Sequence, residues 1–140
     1  MAVVTSLYNH AAKLLANGEV DKANLKVVLL NGSGAFNAAY TQYSDVSANE
    51  VSGNGWDVGG ELISNVAVTT VTTNDAKLDA DDLSILAAGG SIGPAENAAI
   101  LDATNNKLLV HIAFGSALTA GAGTPFLFTW NAAGIITFTV

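Results

Sequence analysis

From Leu108 to the C-terminal Val140, the chain contains no Asp, Glu, Lys or Arg, although its residues follow the pattern of successive β-strands. Strands with one face in water usually carry polar or charged side chains on that face, and exposed sheet edges are usually protected by charge. Two explanations are open at this point. Either both faces of these strands are covered within the domain, or another protein covers one of them.

The composition indicates one acidic domain without cysteine. A chain of 140 residues buries about two thirds of its unfolded surface in a single core. We therefore take residues 1–140 as a single domain, with a helical and loop-rich part (1–60) and a β-rich part (61–140). The five basic residues are all Lys and oppose twelve carboxylates, so the formal net charge is −7. Such a chain is not expected to bind nucleic acid.

No export signal or membrane partner is expected. Polar residues at Asn9, His10 and Lys13 interrupt the N-terminal apolar positions, and no basic region precedes them, so the start does not fit a signal peptide. No run approaches the ~18 apolar residues that a membrane span needs. The sequence therefore predicts synthesis in a cytoplasm.

Two short helices are predicted near the N-terminus. The first is expected to begin at Thr5 or Ser6, to continue with apolar residues at helical spacing, and to end at Gly18. A Ser-x-x-Glu spacing within residues 44–51 predicts the second. Between them, the apolar run Leu25–Leu30 is predicted to form a strand.

After Gly60 the sequence is predicted to be almost entirely β. Residues 62–80 indicate a hairpin with its turn at Asn74-Asp75. Turns are also expected where Gly, Asn and Pro cluster, for example at Gly93-Pro94. Further short strands are predicted at 83–87, 98–102, 108–114, 125–130 and 135–140. The predicted fold class is mainly β, an antiparallel β-sandwich with one or two short N-terminal helices.

Alternation within the charge-free stretch separates a core face from an outer face. The aromatic residues Phe126, Phe128 and Trp130 share one face of a strand and are predicted to be core. Leu108, Val110, Ile112 and Phe114 are predicted to share another core face. The residues left on the outer faces are candidates for contact with a partner: Leu109, Leu127, Thr129, Thr137 and Thr139.

The run Asp45-Val-Ser-Ala-Asn-Glu-Val-Ser-Gly-Asn-Gly-Trp-Asp-Val-Gly-Gly60 resembles a signature of small structural proteins of tailed bacteriophages, Asp-Val-x-x-x-Glu-Val-x-Gly-x-Gly-(Trp/Tyr)-x-x-Gly-Gly. Five further segments resemble landmarks of that family in the same order: Leu7-Tyr8-Asn9, Leu25 to Leu30, Asp79-Ala-Asp-Asp82, His111-Ile-Ala-Phe-Gly115 and Phe128 to Ile135. The resemblance implies a virion component, with decoration of the head as the expected role.

The signature run also has a physical interpretation of its own. Its four glycines indicate positive φ angles or close backbone approach. Trp56 between them would fix the loop by burying its ring, so a rigid loop is the default interpretation. Because aromatic residues are enriched at interface anchors, Trp56 is also a candidate for direct partner contact.

Only one group of residues has metal-ligand chemistry. Asp79, Asp81 and Asp82, with Asp75 nearby, could supply oxygens to a hard cation such as Ca²⁺. The group lacks the Gly and the distal Glu of an EF-hand loop, so a solvated turn is the default interpretation. No other metal site and no cofactor are predicted.

Enzyme activity is not expected. His10 lies in the first predicted helix, and His111 lies in an apolar β run where a packed side chain is the default interpretation. Neither His stands beside a Ser nucleophile in a recognisable elbow, and the sequence contains no phosphate-binding loop.

Three functions from different classes are carried forward. The leading hypothesis is a capsid decoration or cement protein on the outer surface of the virion, with the major capsid protein and copies of itself as partners. The alternatives are a phage tail or neck structural protein, and a surface module that binds glycans. For the last, Trp56 and Tyr43 are the candidate aromatic platforms outside the strands.

Overall fold

The computed structural model describes residues 4–71 and 75–139. These residues are mainly β, with one α-helix, α1 (Ala11–Ala16), and three 3-10 turns at Lys22–Asn24, Tyr43–Asp45 and Ser47–Asn49. The strands are β1 (Val4–Leu7), β2 (Leu25–Leu30), β3 (Glu50–Val51), β4 (Glu61–Leu62), β5 (Ala67–Thr70), β6 (Ala76–Asp79), β7 (Leu83–Leu86), β8 (Ile92–Asp102), β9 (Lys107–Ala120), β10 (Pro125–Phe128) and β11 (Ile136–Phe138).

The strands form three antiparallel sheets. The large sheet has the order β1-β9-β8-β2-β3, and β4 also pairs with β2. The smaller sheets have the orders β10-β7 and β11-β6-β5. Residues from all three sheets meet in one core, including Ile100 of the large sheet, Phe128 of β10 and Leu78 of β6. This packing of small sheets on the inner face of a large one agrees with the predicted antiparallel, sandwich-like class.

The large sheet is covered on both of its faces. Its inner face packs against the small sheets. Its second face is covered by the segment after β1 and by the loop before β3, whose Tyr8 and Val46 are buried against it. The strand residues of this second cluster are Val28, Leu30, Ala99, Leu101 and Leu108. The chain itself therefore covers the first part of the charge-free stretch, so no partner is needed there.

A β-bulge in β9 overturns one predicted alternation. Ile100 pairs with Val110, but the next residue, Leu101, pairs with Leu108, so Leu109 is an extra residue in β9. A bulge changes the face on which the following side chains lie. Leu108 accordingly faces the second cluster, while Leu109 is buried in the main core at 1% exposure. The expectation that Leu109 lies on an outer, partner-facing surface is wrong.

The predicted start of the first helix is also wrong. Val4–Leu7 forms strand β1 and pairs with β9, and the helix begins only after His10. Pairing with a long neighbouring strand outweighs the helical spacing of Leu7 with later apolar residues. The predicted end is confirmed, because Gly18 follows the helix with a φ of 70°.

Two further local predictions need correction. Residues 43–49 form two 3-10 turns, and the capping box joins Gln42 and Asp45 rather than Ser47 and Glu50. The chain does not turn at Gly93-Pro94, because both residues lie within β8, where register shifts interrupt the pairing with β9.

The predicted hairpin is confirmed as β5 and β6, which pair antiparallel from Ala67–Asp79 to Thr70–Ala76. The residues Thr72, Thr73 and Asn74 of that prediction, and Val140 of the last predicted strand, lie outside the described residues.

Candidate partner-binding cleft

Two carboxylates of the signature run from Asp45 to Gly60 fix it internally and to the residues just before it. Asp45 Oδ2 accepts hydrogen bonds from the backbone N–H groups of Thr41 (2.9 Å) and Gln42 (3.1 Å), which lower the pKa of Asp45. Glu50 accepts from the Gly59 N–H at 2.7 Å and from the Tyr43 hydroxyl. Burial and this bond to Glu50 raise the pKa of Tyr43 to about 12. These bonds stabilise the loop.

Two glycines let the same loop approach other backbone segments. Gly55 and Gly60 have φ angles of 110° and 94°. A Cβ at Gly55 would lie 2.5 Å from the carbonyl oxygen of Leu86, and one at Gly60 would lie 2.5 Å from that of Val27. Side chains are therefore excluded at both positions, and the loop is fixed against β2 and β7.

Trp56 is a core residue. Its ring is 1% exposed and lies 5.6 Å from the ring of Phe126 and 6.1 Å from that of Phe128, measured between centroids. Its indole N–H has no hydrogen-bond acceptor among the described residues. The rigid-loop interpretation agrees with this placement, whereas Trp56 as a direct contact residue does not. Tyr43 is half-buried with its hydroxyl bound to Glu50, so neither aromatic is an exposed glycan platform.

A cleft of about 780 Å³ opens at the end of the large sheet where β1 lies. Its walls come from β1, β9, β10 and the segment that leads into β11. Leu7 is paired with Val110 and shares the inner face with it, yet Leu7 is 40% exposed. The small sheets therefore leave this end of the inner face open.

Among the residues that the structure describes, none that lines the cleft is charged. Twelve of its side chains are apolar: Leu7, Val110, Ile112, Phe114, Leu118, Phe126, Leu127, Phe128, Trp130, Ala133, Ile135 and Ile136. The polar groups are hydroxyls and one amide, among them Thr129, Asn131 and Thr137. Such a surface can bind an uncharged, largely apolar segment without desolvating an ion.

The cleft brings together three of the six candidate contact residues. Leu127, which is 58% exposed, lies in its wall with Thr129 and Thr137. Thr139 is exposed but does not line the cleft. The other two candidates, Trp56 and Leu109, are buried in the core.

Trp130 was also predicted to be core, but it lines the cleft and is less buried than Phe126 and Phe128 of the same strand face. Its ring is only partly buried and lies 5.5 Å from the Phe128 ring, between centroids. Its indole N–H donates to the Asp81 carbonyl oxygen and its backbone N–H donates to Asp82 Oδ1, both at 2.9 Å. A large aromatic ring held in this way is typical of an interface anchor.

These contacts give the acidic group a structural role. The Asp81 carboxylate accepts from Asn65 Nδ2 at 2.6 Å, and Asp79 forms an ion pair with Lys77 at 2.9 Å, which lowers the pKa of Asp79. Within residues 4–71 and 75–139, no group of three or more His, Cys, Asp or Glu could hold a metal ion. The cation site considered at Asp79, Asp81 and Asp82 is therefore not formed.

His111 is a packed side chain, as its apolar neighbours predict. It is 2% exposed, and its Nε2 lies 2.9 Å from the Gly34 carbonyl oxygen. Burial lowers the pKa of His111 below 6.5, while the bond to Gly34 acts in the opposite direction. The folded protein therefore favours the neutral ring.

This preference predicts a pH dependence of stability. An unfolded His111 takes up a proton near pH 6.5 and the folded one does so only at lower pH, so its stabilising contribution is complete above that pH and is lost as the pH falls. His111→Gln replaces the ring N–H with a side-chain amide N–H donor, and the amide does not titrate. We expect the difference in unfolding free energy between the wild type and this variant to shrink from about pH 7.5 to about pH 5.5 in urea titrations. A difference that stays constant over this range would contradict the assignment.

No family model, curated protein or solved structure matches this chain. The resemblance to phage virion proteins therefore stays a prediction. No helix in the described part of the chain is long and apolar enough to cross a membrane.

Proposed function

We propose that this chain is a structural protein of a bacteriophage virion that decorates the outer surface of the capsid and stabilises its lattice. Its partners in this proposal are the major capsid protein and further copies of the chain. The proposal assigns it no catalytic role and no cofactor. The resemblance of residues 45–60 to the phage signature supplies the class of protein.

The observation that carries the proposal is the charge-free cleft at the β1 end of the large sheet. Solvent-facing surfaces of an acidic protein normally carry charge, yet this one combines the exposed Leu127 with the partly buried Trp130 and several hydroxyl groups. Depletion of charge with enrichment of aromatic residues is the composition of interface centres. The cleft is therefore the surface that we assign to the capsid contact.

The rest of the surface suits such a role. The formal net charge of −7 favours solubility and disfavours non-specific association. A protein that binds only the assembled lattice stabilises that lattice by mass action, and several linked contacts add avidity. A rigid loop and a large sheet that is packed on both faces outside the cleft let the chain bind without much loss of conformational freedom.

A charge in the cleft is expected to weaken binding without unfolding the protein. Leu127→Asp places a carboxylate at a 58% exposed position of the cleft wall. Because burying an unpaired carboxylate is costly, we expect a roughly tenfold or greater loss of affinity for particles that lack the protein, measured by co-sedimentation. Val58→Asp, at a 73% exposed position outside the cleft, is the matched control.

Equal binding by Leu127→Asp and the wild type, with both proteins folded, would exclude the cleft as the capsid contact. Copy number in purified virions separates the head from the tail or neck. A lattice decoration would be present in numbers comparable with the capsid subunit, whereas a tail or neck protein would be present in far fewer copies.

A further inference from the structure

Strand β5 is an edge strand that carries no charge, no proline and no β-bulge. All four of its residues, Ala67–Thr70, are exposed, and it is the outer strand of the three-stranded sheet. The sequence from Leu62 to Asn74 contains neither a charged residue nor a proline. The register with β6 is uninterrupted, so no bulge turns the edge away. Such an edge can accept another strand.

The pairing of β5 with β6 determines which backbone N–H and C=O groups of β5 point away from the sheet. The Val71 N–H donates to the Asp75 carbonyl oxygen at 2.9 Å, towards the β6 side. Backbone groups alternate in direction along an antiparallel strand, so those of Thr69 and Ala67 also point to β6. Those of Val68 and Thr70 therefore point to the open side, where a further strand would bind them.

An apolar groove lies beside the same edge. Val68 is paired with the buried Leu78 and shares its inner face, yet Val68 is 49% exposed. A groove of about 380 Å³ runs between this face and helix α1, lined by Val68, Phe138, Leu15 and Val20 among others. Lys22 is the one charged residue among the described residues of this lining. At this end, part of the inner face of the three-stranded sheet is therefore exposed.

We propose that β5 pairs antiparallel with β5 of a second copy of this chain, which joins two three-stranded sheets into one of six strands across a two-fold axis. An axis perpendicular to the sheet places residues of the same face opposite one another. Val68 of one copy then lies beside Val68 or Thr70 of the partner subunit, and the pair extends the apolar face over both grooves.

The charge distribution favours a second copy as the occupant. Each chain carries a formal net charge of −7, so two copies repel over most orientations. At β5 no like charges meet, because the strand and its flanking residues are uncharged. Its β-branched residues also suit cross-strand packing with an identical strand.

The proposed function includes self-association. This inference rests on that part of the proposal and names the surface through which two copies bind. The experiment uses the isolated protein in solution. A monomer would overturn the inference and leave the particle-binding test of the cleft unaffected, whereas failure of the cleft test would leave a solution dimer standing.

Sedimentation equilibrium of the wild type is expected to give the mass of two chains, with dissociation on dilution. Val68→Lys adds an inward charge to the edge and is expected to weaken the dimer roughly tenfold or more. Thr70→Pro removes one outward N–H and is expected to do the same. Val58→Lys, the same substitution at a 73% exposed loop position, should remain dimeric.

Circular dichroism and the melting temperature report whether each variant is folded. Because Val68→Lys and Thr70→Pro alter the edge by different means, the failure of one to fold still leaves the other as a test. A wild type that stays monomeric up to about 1 mM would overturn the proposal. A folded Val68→Lys variant that dimerises as tightly as the wild type would also overturn it.

Discussion

Replacing Trp56 with alanine is expected to lower the free energy of unfolding by about 3–5 kcal/mol, the range for removal of a fully buried large aromatic side chain. The ring is 1% exposed and packs on Phe126 and Phe128. It also joins the signature loop to the strand that forms one wall of the cleft. Urea unfolding measured by circular dichroism gives the value directly.

Trp56→Phe is the matched control, because it keeps an aromatic ring in the same place and should lose less than the alanine variant. Because the indole N–H has no hydrogen-bond acceptor among the described residues, Trp56→Phe breaks no hydrogen bond, and its cost in unfolding free energy is smaller for that reason as well. If Trp56→Ala costs less than about 1 kcal/mol, the ring does not hold the loop against the core.

Replacing Asp102 with alanine is expected to cost several kcal/mol. Asp102 is fully buried at the end of β8, and its carboxylate accepts four hydrogen bonds. The donors are the backbone N–H groups of Asp21, Thr104 and Asn105 and the side-chain amide of Asn105. A hydrogen bond to a charged group contributes about 1.5–3 kcal/mol, and a donor left without a partner adds its own cost.

Asp102→Asn tests the same contacts with less disruption. It keeps one carbonyl oxygen, so it should retain part of the network and lose less stability than Asp102→Ala. Asp57→Ala, at an exposed position in the signature loop, should stay within about 0.5 kcal/mol of the wild type. If Asp102→Ala unfolds at the same urea concentration as the wild type, the carboxylate does not anchor the β8–β9 turn to the segment after α1.

The local sequence patterns predicted the fold class. The predictions of individual elements were wrong where pairing between segments distant in the sequence determines the structure. Alternating β-branched residues predicted the β5–β6 hairpin, because both strands and their turn lie close together in the sequence. The segment Val4–Leu7 became a strand because β9, about a hundred residues later, pairs with it. The bulge at Leu109 depends on the register between β8 and β9, which no local pattern encodes.

The candidate site could be predicted only in part for the same reason. Leu127, Thr129 and Thr137 were identified because a strand face without charge is unusual wherever it occurs. The cleft itself needs β1, β9 and the segment before β11 to meet, so its shape is a property of the tertiary fold. One sequence signal could have indicated that Trp130 is partly exposed. It ends the aromatic run and is followed directly by the turn residue Asn131.

The central claim is that the charge-free cleft contacts the capsid lattice, and a cryo-electron-microscopy reconstruction of the virion that carries this protein tests it most directly. We expect density for the chain on the outer surface of the head, with Leu127 and Trp130 against a neighbouring subunit. Density for the chain on the head with this cleft open to solvent, or no density for it in the particle, would contradict the claim.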